Sequence, residues 1–140
     1  MKKYIFSLIA VLALGLFYGC DQSDQASTDE IKIGVILGFT GPIESLTPTM
    51  ASSAELAMKE VSDSGLLLGG AKVSSVRADS TCVDAGAATS AAERLVTSDN
   101  VAAIMGADCS GVTTAIANNV AVPNGVTIIS PSATSPALTD

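Results

Sequence analysis

The chain has 140 residues, enough for one modest domain, and 48% hydrophobic content against 15% charged residues describes a globular polypeptide, not a disordered one. Its formal net charge of −7, from 14 acidic and 7 basic residues, offers none of the clustered Lys and Arg that a phosphate backbone demands, and so excludes a nucleic-acid partner. Histidine and tryptophan are absent, which excludes a histidine general base and any histidine metal ligand within these residues.

Residues 1–19 read as an export signal. Lys2 and Lys3 give a positive start, Tyr4 to Phe17 form an uncharged apolar stretch, and Gly19 supplies a small residue before a cleavage point. The stretch is shorter than the roughly 20 apolar residues of a membrane-spanning helix, so a removed signal is favoured over a permanent anchor. The run Phe17-Tyr18-Gly19-Cys20 resembles a bacterial lipoprotein processing site, which implies a lipid on Cys20 and attachment to the membrane through it. Asp21 resembles the signal that keeps some lipoproteins at the inner membrane. Residues 20–30 then form an acidic stretch without hydrophobic periodicity, read as a flexible tether.

From Ile31 onward, short β-branched runs alternate with longer alanine-rich segments. Strands are expected at residues 31–37, 72–78, 101–105 and 127–130. Between them, Met50, Ala54, Ala57, Met58 and Val61 share one helical face, as do Ala88, Ala91, Ala92 and Leu95, and then Val112, Ala115 and Ile116. Gly65, Gly69 and Gly70 close the first helix, Asp84 caps the second and Ser110 is placed to cap the third. The order βαβαβαβ predicts an α/β fold with an open, mainly parallel sheet, helices on both faces and right-handed crossovers. The final segment, SPSATSPALTD, reads as a loop with no further element to close the sheet, so residues 31–140 are expected to be part of a truncated lobe.

In such sheets ligands bind outside the carboxyl ends of the strands. Three loops fall there: GFTGPIESLTP, GADCSG and SPSATSP. They are rich in Gly, Ser, Thr and Pro, which offer hydrogen bonds without titratable chemistry, and suit binding more than catalysis. Gly-x-Ser-x-Gly spacing, phosphate-cradling glycine motifs and a base for Cys109 are all missing, so the sequence assigns no catalytic residue, no metal and no cofactor. Ser110, at a predicted helix start, is either part of an anion site or merely the cap of its own helix. Ser132 and Thr134 are either turn residues or ligand contacts. With Cys20 set aside for lipidation, Cys82 and Cys109 remain as an even pair in an oxidising compartment, either bonded to one another or left as buried thiols.

The segments IKIGVILGFTGP, GADCSG and IISPSATSPALT resemble, in sequence and spacing, the branched-chain amino acid binding proteins of ABC transporters, which are type I periplasmic binding proteins. The resemblance covers nearly all of residues 31–140, and the run from Ser130 to Thr139 is its most specific element. It implies a disulfide between Cys82 and Cys109, a carboxylate contact at Ser110, and contacts to ligand carboxylate and ammonium at Ser132 and Thr134. Leu46 falls near a position where an aromatic often covers the ligand side chain, and Ser62 and Leu66 replace an asparagine and a glycine that usually follow the first helix. The implied protein is a lipid-anchored receptor that captures a small amino acid or similar carboxylate between two lobes, feeds an ABC transporter permease, and makes or breaks no bond. A sensory module of the same fold, or an exported α/β enzyme, are the rival readings; the first needs a signalling segment downstream and the second needs acids or histidines from elsewhere.

Overall fold

A computed structural model describes residues 30–139. The expected signal, Cys20 and all of the expected tether except Glu30 lie outside the described residues.

In chain order the elements are strand β1 (Glu30–Leu37), helix α1 (Thr47–Ser64), strand β2 (Lys72–Asp79), helix α2 (Ala85–Thr97), strand β3 (Ala103–Gly106), helix α3 (Ser110–Ile116) and strand β4 (Thr127–Ile129). Helix α3 runs on into a π turn over Ala117–Ala121, and short 3-10 turns occupy Leu67–Gly69 and Pro136–Leu138. The sheet order is β2-β1-β3-β4, with all three pairings parallel. This is the expected α/β architecture. The chain leaves β1 toward β2 on one side and returns to β3 on the other. Right-handed crossovers therefore put α1 on one face and both α2 and α3 on the opposite face.

Two clusters of buried side chains record that split. Ile36, Ala78 and Ile104 meet Ala88, Ala92, Leu95, Val112 and Ile116, while Val35 and Leu37 meet Ala51, Met50, Met58 and Met105 on the other face. Strand β1 is therefore buried on both sides, as a central parallel strand must be, and this is why its sequence is a near-continuous apolar run. Full burial of Leu95 or Ile36 stabilises the fold by about 1.5–3 kcal/mol each.

The helix ends follow local chemistry. Asp84 accepts hydrogen bonds from the amides of Gly86 and Ala87, both at 2.9 Å, as expected of its cap position. Gly65 ends α1 in the left-handed conformation with φ 67°. Gly106 is required for a different reason: its φ is 129°, and a side chain there would place its first carbon 1.9 Å from the carbonyl oxygen of Ile36.

Three expectations are corrected. The buried stripe of α1 is Thr47, Ala51 and Ser62, with Met50, Ala54 and Met58 half-buried, whereas Ala57 and Val61 are exposed. Polar anchors turn the helix: the Ser62 hydroxyl accepts from the Val73 amide at 2.7 Å and donates to its carbonyl at 3.1 Å, and Thr47 donates to the Gly38 carbonyl at 3.1 Å. Ser110 does not cap α3; the cap position belongs to Cys109, which gives no side-chain hydrogen bond to the helix. Strand β3 starts two residues later than expected, at Ala103, and runs through Gly106, while β4 stops at Ile129.

Candidate functional site

The loops that follow the four strands gather at one end of the sheet, beside the point between β1 and β3 where the order of the strands reverses. Their contacts can be built up one strand at a time. After β1, Gly38 gives its amide to Asp108 at 2.8 Å, and Thr40 gives its hydroxyl to Asp79 at 2.6 Å. After β2, the Ser80 hydroxyl donates to Asp108 at 3.3 Å and the Thr81 amide donates to Asp79 at 2.8 Å. After β3, Cys109 bonds covalently to Cys82, with Cα atoms 5.2 Å apart, within the span a disulfide needs. Thus the pair that residue counting left open is a disulfide, joining the loops after β2 and β3.

The loop after β4 closes onto the same corner. Ser130 donates to the Ala107 carbonyl, and Ser132 donates its hydroxyl to the Asp108 carbonyl at 2.9 Å. The Ser110 hydroxyl oxygen accepts two amides from that loop, Thr134 at 3.0 Å and Ser135 at 3.1 Å. Ser110, Ser132 and Thr134 are thereby brought together. A hydroxyl has one donor hydrogen and two acceptor lone pairs. Both lone pairs of Ser110 are occupied by amides, so its hydrogen remains to be offered to an external acceptor such as a carboxylate.

Leu46 sits at the end of the loop after β1 and is 56% exposed. It connects to this corner through its neighbour Thr47, whose hydroxyl reaches the Gly38 carbonyl. The shelf formed by these loops is open. Two grooves elsewhere on the surface do not coincide with it: one lined by residues including Glu55, Lys59, Lys72 and Arg77, the other, of about 370 Å³, lined by Ile33, Ala54, Ala57, Met58, Val61, Val73 and Met105.

The charged groups near the shelf brace it. Burial pulls the Asp79 carboxyl upward, but the Thr40 hydroxyl and the amides of Thr81, Thr40 and Phe39 together outweigh that and hold it below its ordinary value. Arg77 lies over the Phe39 ring at 5.5 Å and pairs with Glu55 at 2.7 Å, and the Arg77 hydrogen bond lowers the Glu55 carboxyl. Sequence reasoning missed Asp79, the last residue of β2, and Asp108, in the loop after β3, because an acid at a strand end carries no local mark of what it will hold. Among the described residues there is no group of three or more metal-ligating side chains, and no helix is long and apolar enough to cross a membrane.

A shelf of amides and hydroxyls is thus carried on the strand ends of an open parallel sheet. The chain belongs to the periplasmic binding protein family, whose model matches residues 30–140. It is 35% identical over 112 residues to the Leu/Ile/Val-binding protein homolog 7 of Brucella abortus, an alignment that takes in 79% of this chain and 25% of that protein. Among solved structures, it is similar to the branched-chain amino acid transporter substrate binding protein LivJ of Streptococcus pneumoniae, determined in complex with isoleucine. That match has a TM-score of 0.71 and 33% identity, covering 79% of this chain and 31% of the other. It is also similar to an ABC transporter substrate-binding protein of Desulfitobacterium hafniense in complex with Leu, with a TM-score of 0.68 and 30% identity over 80% of this chain and 31% of that one. The chain thus spans between a quarter and a third of the length of these relatives.

Proposed function

We propose that this chain is the amino-terminal ligand-binding lobe of an extracytoplasmic receptor that captures a branched-chain amino acid and delivers it to the permease of an ABC transporter. The observation that carries the reading is the convergence of Ser110, Ser132 and Thr134, with the Ser110 hydroxyl hydrogen left over after both of its lone pairs are used. A ligand carboxylate takes that hydrogen, and the free backbone carbonyls of the last loop suit an ammonium group. Leu46, exposed at the rim, is the residue on this lobe that meets the ligand side chain. The relatives bound to isoleucine and leucine support this ligand class. Nothing in the shelf pairs a nucleophile with a base, so the proposed role is capture without turnover. Anchoring comes from a lipid on Cys20 after loss of residues 1–19, with residues 20–30 as the tether.

Calorimetry on the full-length protein with leucine, isoleucine, valine and their deaminated analogues tests the ligand. Binding of the amino acids, and a loss of about tenfold or more in Ser110→Ala, corresponding to about 1.4 kcal/mol, is expected. Unchanged affinity in that variant would remove Ser110 from the site. Cys20→Ala tests the anchor separately: the variant should leave the membrane fraction, and full retention would refute lipid attachment there.

A further inference from the structure

Residue 108 touches all four strand-end loops. Its carboxylate accepts the Gly38 amide on Oδ2 at 2.8 Å, and the Ser80 hydroxyl at 3.3 Å and Cys109 amide at 3.0 Å on Oδ1. Its carbonyl accepts the Ser132 hydroxyl at 2.9 Å. These donors lie after β2, β1, β3 and β4, at sequence distances of up to 70 residues. The side chain is only 3% exposed. The ion pairs among the described residues are Lys59–Asp63, Arg77–Glu55 and Arg94–Asp99, so no cation in them accompanies this buried acid.

A carboxylate is costly to bury without a cation, and an apolar side chain would fill a core position at less cost. What the carboxylate alone provides is acceptor capacity for three separate donors. All three are at the roots of the loops that carry the shelf. Gly38 leaves no slack there, since a side chain on it would come 3.2 Å from the Cys82 Cβ and 3.4 Å from Oδ2 of Asp108.

We infer that Asp108 is a positioning residue for ligand capture: its buried carboxylate fixes the spacing between the loop after β1 and the shelf made by Ser110, Ser132 and Thr134. The inference rests on the amino acid binding reading for its functional part, but its geometric part stands without it. Asp108 touches no ligand in this account. Its carboxylate acts through Gly38 on one side and through Ser80 and Cys109, the residue before Ser110, on the other.

Asp108→Asn separates positioning from bulk stability. The amide keeps one oxygen for the side that receives Ser80 and Cys109, and turns an NH2 toward the Gly38 amide, so that donor faces donor and the loop after β1 is released. Hydrogen exchange on the full-length variant should show Gly38 opening about tenfold or more faster, with the β1 core and Cys109 amides unchanged, and leucine affinity should fall about tenfold. Uniform acceleration of all amides, with affinity per folded molecule intact, would make Asp108 only a stabilising group and overturn the inference. So would unchanged exchange and affinity. If the variant does not fold, the wild-type protein decides: Gly38 must be as protected as the β1 core, and exchange at the rate of an exposed loop amide sinks the proposal. If wild-type protein binds no amino acid, the functional reading falls, while Gly38 exchange still reports whether the carboxylate holds the loops.

Discussion

Removing the Cys82–Cys109 disulfide, by replacing both residues with serine, tests the link between the loops after β2 and β3. The bond spans 27 residues, and closing a loop of that length in the unfolded chain corresponds to roughly 3.5 kcal/mol of stabilisation on the chain-entropy scale. For a folded unit of this size, each kcal/mol moves the melting temperature by about 4 °C, so the double variant should melt about 14 °C lower. The assay is thermal unfolding followed by far-ultraviolet circular dichroism, with and without reductant, on protein whose thiols are counted. Reductant should lower the wild-type melt by a similar amount and leave the variant unmoved. Because Cys109 immediately precedes Ser110, the amides of Thr134 and Ser135 should also lose protection before the β1 core does. A fall of less than about 4 °C, with the thiols demonstrably free, would refute the reasoning.

Acid should loosen the loop after β1 through Asp79. Its folded pKa lies below the ordinary aspartate value, so the stabilisation is complete above that value and is lost as pH falls through the folded pKa. Wild-type melting temperature should therefore drop more steeply below about pH 4 than that of Asp79→Asn, and parallel curves would remove Asp79 from the account. Glu55 is lowered in the same direction by Arg77, which is why the difference between two proteins, and not a single curve, is the readout. Asp84→Ala should cost about 1 kcal/mol by chemical denaturation through loss of two amide bonds at the start of α2, and Asp84→Ser should recover most of it. Gly106→Ala should fail to accumulate as folded protein, since its methyl group would overlap the Ile36 carbonyl; a well-folded variant would contradict that packing.

Much of the architecture is legible in the residues, for physical reasons. The central strand β1 is an apolar run because it is buried on both faces, and the helices carry alanines where they approach the sheet, as Ala88 and Ala92 do. Asp84 and Gly65 declare helix ends because capping is local chemistry. What is illegible depends on partners far away in sequence. The rotation of α1 is set by Ser62 reaching Val73 and Thr47 reaching Gly38, so a purely hydrophobic stripe points to Ala57 and Val61 instead. Thr113 is buried where Ala115 was the expected neighbour of Val112, because its hydroxyl donates to the Ala107 carbonyl at 3.0 Å. At the site, Ser110, Ser132 and Thr134 emerge from loop composition and family resemblance, but the use of Ser110 as an acceptor for a second loop depends on contacts 24 and 25 residues away.

Ile129 pairs in register with Met105 and shares its side of the sheet, where it is 66% exposed, beyond the reach of α1. Nearby, Met105 itself joins Ile33, Ala57 and Val61 in lining an apolar groove, and wetting such surface is unfavourable in proportion to its area. Concentrated solutions of the 140-residue polypeptide should consequently bind a hydrophobic dye such as ANS and sediment faster as concentration rises, and Ile129→Lys should suppress both.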